Sequence, residues 1–576
     1  MKQLICFLLF VFMCLFSFAQ DEYIIPLDDI SYRMAEELFL EAGWVPPLNQ
    51  KPIIAARLKE QLGLLIDKGD LSAENIQAAK DLQKSLDKAM SPLTPILETA
   101  AWGQYSNKTD VKHEIYDGDT IPGMFVDYLS VYEVDDIPPL LKAGFMTQLN
   151  GFSVMFMPQL GPTLSTRMMD NAYFNYPRNP LKPDSFDLEL KNIDNGMPYK
   201  GIATFFGYPV EFRIGRDKLQ LGPALWSGMT LTQHMPFYDY AKAALYSEQI
   251  SYSLYFIRLN PTISIAEGEK LDEYKENGAV LNPETYYYFV GQSYNERAKH
   301  LVVGSTDFTF FPFLHFELNQ MDLISGRQPQ LPDFNPFIVF HNLFMEGSYS
   351  VPFSFSITYT PLKGVKIFGE YYQYDMQSDE EPDVNLHPTA LAYQAGFTLL
   401  SSPYFALGPG RFRLDGEFTH VDPWTYNLFH SYRKMTSRFI YVENYVGRLW
   451  IDFPIGYYLG PDCEDFHIAL SYGIPGDWEA ELGWNLSAIG EINLFGWGDN
   501  SQYAHIGDPG LEAKLKAPSG TVFWTNAFSL SGYKFLTPHL KLSSWLDLEH
   551  VVNRHNRLDD NHFFVSLGAS VEWCLN

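Results

Sequence analysis

Beyond its first twenty residues the chain lacks any long, unbroken hydrophobic run. It is also short of charge, of basic residues in particular, and of cysteine. Of 576 residues only 19% are charged, and 41 Lys and Arg face 69 Asp and Glu, for a net charge of -28. That deficit of cations argues against a general nucleic-acid footprint. It does not argue against a membrane, because a transmembrane barrel meets lipid through an apolar band and not through net charge. Three stretches are free of charged residues for about twenty residues or more: Ala143–Thr166, Leu219–Tyr238 and Leu386–Gly410. Pro158, Pro162, Pro403 and Pro409 interrupt two of them, so they read as strand pairs with turns and not as membrane helices. Of the four cysteines, Cys6 and Cys14 fall in the N-terminal apolar segment. Cys463 and Cys574 are too far apart in the chain for close metal-ligand spacing, and leave open a disulfide or two separate thiols.

Aromatics, glycine and proline are abundant instead. Phe, Tyr and Trp make up 16% of the chain, with 41 Gly and 37 Pro. This is too apolar for disorder and too rich in Gly and Tyr for a helical bundle. Residues 1–20 read as an export signal: Lys2, an apolar run from Leu4 to Phe16, then the small-x-small pattern Ser17-Phe18-Ala19. Loss of that segment with its Lys2 leaves the mature chain one charge more negative.

Residues 21–95 are expected to form a periplasmic helical segment. Pro52 suits a first helical turn, and Ile54, Leu58, Leu62, Leu65 and Ile66 form one stripe. Ser72 can cap a further helix with the stripe Ile76, Ala79, Leu82, Leu86 and Met90. The simplest role for such helices is packing, and the sharper one is a plug or docking element. Ser91-Pro92-Leu93-Thr94-Pro95 reads as a linker.

From residue 96 to 576 the period is two. Phe353, Phe355, Ile357 and Tyr359 alternate with Ser354, Ser356, Thr358 and Thr360. Tyr252, Leu254 and Phe256 alternate with Ser251, Ser253 and Tyr255, and Phe466, Ile468 and Leu470 with His467, Ala469 and Ser471. A soluble sandwich would show the same alternation. An exported chain with strands of about ten residues favours a membrane barrel. Trp424-Thr425-Tyr426 and Tyr457-Tyr458 read as parts of an interfacial girdle. The C-terminal run Phe563, Val565, Leu567, Ala569, Val571, Trp573 and Leu575 is the kind of strand that closes a barrel. The expected fold is all-β: a closed antiparallel transmembrane β-barrel of about 16–18 strands behind a small N-terminal α-helical segment. It implies a bacterial outer membrane, contact with outer-membrane lipid, and insertion by the barrel-assembly machinery.

Motifs for chemistry are absent. There is no phosphate-binding Gly loop, no Gly-x-Ser-x-Gly elbow, no His-Glu-x-x-His and no Cys-x-x-Cys. His315 and Glu317 share a strand face and read as a solvated lumen pair. Asp375, Asp379, Glu380, Glu381 and Asp383 read as a solvated loop, with weak divalent-cation binding as the sharper alternative. No catalytic, cofactor-binding or metal-binding residue is expected, and no enzyme activity.

The segment Glu211 to Pro223, with Gly215-Arg216 followed by Gly222-Pro223, resembles the Gly-Arg-x-x-x-x-x-Gly-Pro signature of the Wzi-type capsule-assembly family. Asn335-Pro336 with His341, Glu370 with Asp375, and Gly460-Pro461-Asp462 are similar to later blocks of that family. The resemblance is to the broad family, and Lys218 and Leu219 stand where nearer members would carry Trp. It implies a barrel of about 18 strands that holds extracellular (capsular) polysaccharide at the cell surface as a lectin. Exposed aromatics such as Tyr173, Tyr176, Tyr286 and Tyr287 would suit stacking on sugar rings, or else belong to strands and girdle. Arg216 would meet an acidic glycan or pair with lumen carboxylates. The alternatives are a porin-like diffusion channel or solute transporter, and a surface adhesin.

Overall fold

In the computed structural model of the chain, residues 23–87, 94–106, 114–115, 125–128, 141–149, 151–160, 199–262, 297–334, 348–375, 390–401, 410–427, 434–443, 447–492, 494 and 516–575 are described. Asn335, Pro336, His341, Tyr173, Tyr176, Tyr286 and Tyr287 lie outside them, as do Met90, residues 1–20 and most of the acidic run after Asp375.

Eighteen strands pair antiparallel into a closed ring. They are β1 (Thr94–Ser106), β2 (Leu141–Leu149), β3 (Phe152–Leu160), β4 (Tyr199–Gly207), β5 (Val210–Asp217), β6 (Tyr238–Tyr246), β7 (Ile250–Arg258), β8 (Lys299–Phe311) and β9 (Leu314–Ser325). Then follow β10 (Phe353–Leu362), β11 (Val365–Asp375), β12 (Ala390–Leu400), β13 (Arg411–Val421), β14 (Cys463–Ile474), β15 (Trp478–Ile489), β16 (Phe523–Thr537), β17 (Leu540–Val552) and β18 (His562–Leu575). Each strand pairs with its predecessor. The ring closes where β1 pairs with β18, from Leu97↔Leu575 to Ser106↔Ser566. Closure satisfies every backbone edge without water, as lipid requires.

Burial settles what the alternation means. On β10, Ser354 and Ser356 are 0% and 1% exposed, while Phe355 and Ile357 are 41% and 36% exposed. A sandwich would bury the phenylalanine and expose the serine. Here the apolar face points outward to lipid and the hydroxyl face points into the lumen. The same holds on β18, where Phe563, Leu567, Val571 and Trp573 are exposed and Ser570 is buried.

Short and long connections alternate around the ring. Pro312-Phe313, Lys363-Gly364 and residues 538–539 are two-residue turns at one rim. The other rim carries the long excursions, including 218–237, 422–462 and 490–522. In outer-membrane barrels the long loops face outward and the short turns face the periplasm. Cys463 starts β14 at the long-loop rim, and Cys574 ends β18 at the short-turn rim. The two thiols are free, and their opposite placement forbids a bridge.

Among the described residues three helices precede the barrel: α1 (Ser31–Glu41), α2 (Ala55–Lys68) and α3 (Ala73–Leu86). The expected stripe on α2 is largely buried through Leu58, Leu62 and Leu65, with Ile54 just before the helix. Pro52 precedes that helix and does not open it. Ser72 caps α3, its Oγ accepting from Asn75 N at 3.1 Å. The helices share a core with Tyr23, Ile25 and Phe39. Among the described residues no helix is long and apolar enough to cross a membrane.

The head docks at the short-turn rim and reaches into the lumen. Val45 N donates to Pro312 O at 2.7 Å, and Gly364 N donates to Leu40 O at 2.7 Å. A second element fills the lumen from the other end. Leu219–Tyr238 is not a strand pair, as its lack of charge suggested, but the connection between β5 and β6 folded inward. Leu219, Leu221, Met229, Leu231 and Met235 are buried on it. It lacks charge because it is core. Gln50 and Lys51 of the head pair with Leu221 and Gln220 of this inner loop, so the two fillings meet.

Candidate functional site

The strand β5 places Glu211, Arg213 and Asp217 on the lumen face and Phe212, Ile214 and Arg216 on the lipid face. Arg213 Nη2 lies 2.6 Å from Glu211 Oε1, and Lys242 Nζ lies 3.3 Å from Glu211 Oε2. Arg213 Nη1 also donates to Pro52 O at 3.1 Å, tying wall to head. Arg216 does not pair with a lumen carboxylate. It points outward, stacks 3.7 Å over the Phe237 ring and binds Asp239 of β6, its cross-strand neighbour. One residue of register separates these two fates, because successive side chains of a strand alternate faces.

Gly215 and Gly222 both have positive φ, +148° and +105°. A Cβ on Gly215 would collide with the Gly201 carbonyl. A Cβ on Gly222 would come 2.5 Å from Glu370 Oε2. Two of the motif blocks therefore meet in space: Gly222-Pro223 at the root of the inner loop rests against Glu370 on β11. Glu370 is buried and accepts from Thr230 Oγ1 of the same loop at 2.8 Å. Glu417 of β13 holds the loop next to it, accepting from Leu225 N at 2.7 Å and from Gln394 Nε2 at 2.9 Å. Glu417 anchors the loop by its backbone and Glu370 by a hydroxyl. Asp375 ends β11 near the long-loop rim.

Gly460-Pro461-Asp462 is a structural corner. Asp462 is fully buried with φ +58°. Its carboxylate accepts from Ile492 N at 2.9 Å, Ser519 N at 2.9 Å and Ser519 Oγ at 2.5 Å, stitching its own outer excursion to the one between β15 and β16. Burial pushes its pKa up against those hydrogen bonds. Gly460, with φ +80°, lies against Leu494.

An aromatic recess caps the inner loop on the long-loop side. Trp226 stacks on His467, centroids 4.9 Å apart and 17° between planes. His234 stacks on Tyr458, centroids 4.9 Å apart at 29°. Asp465 sits at the centre, accepting from Tyr457 Oη at 2.6 Å, Tyr458 Oη at 3.1 Å and Asn485 Nδ2 at 2.6 Å, with His467 Nε2 at 2.9 Å. Burial and then the Asp465 charge raise both phenols well above their usual pKa, so both remain donors. Trp226, Tyr458, His467 and Asn485 are half-buried and His234 is exposed. Flat rings beside fixed polar groups are the usual furniture of a site that orients a polar ligand.

The sequence reading missed this recess. Tyr457, Trp424 and Tyr426 are not girdle residues but are buried inside the barrel mouth, because the described residues 422–427 and 452–462 fold back over the lumen. Trp226 and His234 gave no signal, since their partners lie more than two hundred residues away. His315 and Glu317 face the lumen as expected, but they are buried there, 4% and 0% exposed, and not solvated; His315 Nε2 lies 3.0 Å from Asp307. Among the described residues no cluster of His, Cys, Asp or Glu suits a metal ion.

The lower end of the lumen is held by charge. Glu36 of α1 pairs with Lys366 of β11, and its Oε2 lies 2.7 Å from Arg413 Nη1 of β13. Arg33 reaches Glu479 of β15 at 2.8 Å, and Glu41 reaches Arg411 at 3.0 Å. Burial raises the Glu36 pKa, but Arg413 and Lys366 outweigh it and hold the carboxyl well below its usual range.

These features define an outer-membrane β-barrel of eighteen strands, located in the bacterial outer membrane, with its own head and an inner loop inside the lumen. No family description matches the chain, and no curated protein matches its sequence. Among solved structures it is similar to Wzi of Escherichia coli, described as an outer-membrane protein involved in group 1 capsule assembly and a carbohydrate-binding β-barrel. The two share a TM-score of 0.55 at 12% identity, over 95% of this chain and 98% of that one. OprD of Pseudomonas aeruginosa aligns with a TM-score of 0.40 at 8% identity, over 84% of this chain and 95% of that one. OccAB3 of Acinetobacter baumannii aligns at 0.36 and 8%, over 84% and 99%. The likeness to Wzi is one of fold.

Proposed function

We propose that this barrel binds extracellular polysaccharide and holds it at the cell surface, as a distant member of the Wzi-type family. The observation that carries the reading is the recess of Trp226, His234, Tyr458 and His467 around Asp465, seated on a filled lumen at the long-loop end. Sugar rings stack on flat side chains, and their hydroxyls pair with carboxylate, amide and imidazole groups. The lumen side of β9 to β13 is covered by head and inner loop, with Glu317, Ser354, Glu370 and Thr419 all buried, which suits an anchor better than an open pore. The fold shared with a carbohydrate-binding barrel supports the same reading. It includes export directed by residues 1–20 and a head, 21–95, that faces the periplasm. The role is binding, not synthesis.

The test is a deletion strain complemented with wild type or Trp226→Ala. Polysaccharide should still be made in the deletion, but move from the cell surface into the medium. Wild type should restore it, and Trp226→Ala, at normal barrel level, should not. Unchanged surface polysaccharide with slower uptake of small solutes would overturn the anchor in favour of a diffusion channel.

A further inference from the structure

On the outward wall, strand register sets a row of charge directly above an apolar hollow. Arg216 of β5, Asp239 of β6 and Arg258 of β7 are cross-strand neighbours at the long-loop ends of their strands. The next outward row toward the short-turn rim is Ile214, Ala241 and Phe256, and the one after it is Phe212, Ala243 and Leu254. Ala203 and Phe205 of β4 extend these two rows. Successive rows are two residues apart, or about 7 Å along a strand. Ala203, Ala241 and Ala243 are small among large neighbours, and a hollow of about 420 Å³ lies over them, edged by Phe152, Phe212, Ile214, Leu254 and Phe256.

One side of the hollow is bounded by a strap. Val302 of β8 and Ile324 of β9 lie on the outward rows of Phe256 and Arg258, yet both are fully buried. The chain between β9 and β10 covers them. Val351 packs on the pair, and Phe334, at the end of the short turn Leu331–Phe334, puts its ring 5.3 Å from that of Phe256. Arg327 holds Asp333 of this turn at 2.7 Å.

The charge above the hollow does not balance. Asp239 gives both oxygens to Arg216. Arg258 is exposed, and among the described residues no carboxylate is paired with it. The row therefore carries one positive charge in excess where the head groups of the outer leaflet lie. A fixed cation above a bounded apolar hollow suits an amphiphile with an anionic head. A zwitterionic lipid would bring a cation of its own to the arginines. A second barrel meeting this face about an axis along the membrane normal would bring the same row at the same height, arginine against arginine. We propose that this face binds a phosphorylated acyl glycolipid of the outer leaflet, of the lipid A type: a phosphate on Arg258 beside Arg216, and one acyl chain over the three alanines. The site is separate from the recess and does not depend on the polysaccharide reading.

The experiment uses the full-length protein, delipidated in detergent, with three probes: lipid A, the same lipid without its phosphates, and phosphatidylglycerol. Native mass spectrometry should show one lipid A retained by wild type, and at least tenfold weaker retention of the other two. Ala241→Phe, which fills the hollow, and Arg258→Gln, which removes the charge, should each lose lipid A at least tenfold. Ala569→Phe, on the outward face of β18, should retain it. Heat-modifiable gel mobility checks that each barrel has formed. Equal retention in wild type, Ala241→Phe and Arg258→Gln would overturn the site, as would equal loss in Ala569→Phe. Phosphatidylglycerol held as tightly as lipid A would overturn the glycolipid assignment. A lipid-free dimer that Ala241→Phe abolishes would overturn the lipid in favour of a second copy.

Discussion

Arg216 grips Asp239 with two hydrogen bonds of 2.7 Å, Nε to Oδ1 and Nη2 to Oδ2, on the outward face of neighbouring strands β5 and β6. The pair sits at the end of β5 from which the inner loop departs. It faces away from the recess, the head and the lumen. The most conspicuous residue of the sequence motif is thus outside every space where a glycan would be held in the barrel.

Arg216→Ala should therefore leave surface polysaccharide in place. The pair is partly exposed, with side chains 21% and 40% accessible, so its loss should cost about 0.2–1 kcal/mol. Cell-surface glycan staining and urea unfolding in detergent check both points. Release of polysaccharide at normal barrel level would put ligand binding on the outer rim instead.

The lipid face can be probed by depth. Leu567 lies near the middle of β18, and Trp573 near its end at the short-turn rim. Both are exposed to lipid. Leu567→Arg should cost about 2–4 kcal/mol, and Trp573→Arg about 0–1 kcal/mol. Folding titrations into lipid vesicles give the difference. Equal costs would contradict the depth assigned to either residue.

The head should come loose when Glu36 is removed. Glu36→Ala leaves Lys366 without its carboxylate and Arg413 with Asp415 alone, and breaking a buried pair in this way typically costs about 3–5 kcal/mol. Proteolysis within 21–95 should speed up while the barrel stays resistant. In planar bilayers the variant should show frequent opening events that wild type lacks.

Docking of the head should strengthen as pH rises above 8. Lys51 has a pKa of about 8 in the docked state and 10.5 when free, so the docked state holds its proton more weakly. The destabilisation is complete below pH 8 and fades between pH 8 and 10.5. The groups around it are Glu36, Lys366, Arg413, Asp28 and Asp29. Resistance of the head to proteolysis in urea should rise over that window in wild type. Lys51→Met should lack this rise and exceed wild type at pH 7. A parallel rise in Lys51→Met would assign it to another group.

The ring itself was legible in the sequence, and its contents were not. The alternation of Ser354, Phe355, Ser356 and Ile357 is a local signal, since period two needs only neighbours. The closing strand from Phe563 to Leu575 and the cap at Ser72 are local in the same sense. The inner loop was misread because absence of charge in Leu219–Tyr238 fits a strand pair and a buried loop equally well. Trp424 and Tyr457 were misread because aromatic clusters near strand ends suit an interface as well as a core. The recess was invisible for a different reason: Trp226 finds His467, and His234 finds Tyr458, only after the barrel brings β14 beside the inner loop. Of the motif blocks, Gly222 and Glu370 do converge, but as a glycine that makes room for a carboxylate.

The pairing of β1 with β18 sets a schedule for the molecule's birth. The first strand of the wall cannot acquire its outer neighbour until the fourteen residues of β18 have been delivered. Until then the sheet has two raw margins. The head precedes β1 in the chain, and its partners Lys366, Arg413 and Glu479 lie on β11, β13 and β15. It is therefore made first and anchored late. A head waiting beside the short-turn rim can enter through it after the wall is complete, since none of its helices contributes a rung to the ring. A chain cut just before β1 should still build its wall, and would emerge from assembly as an unstoppered tube.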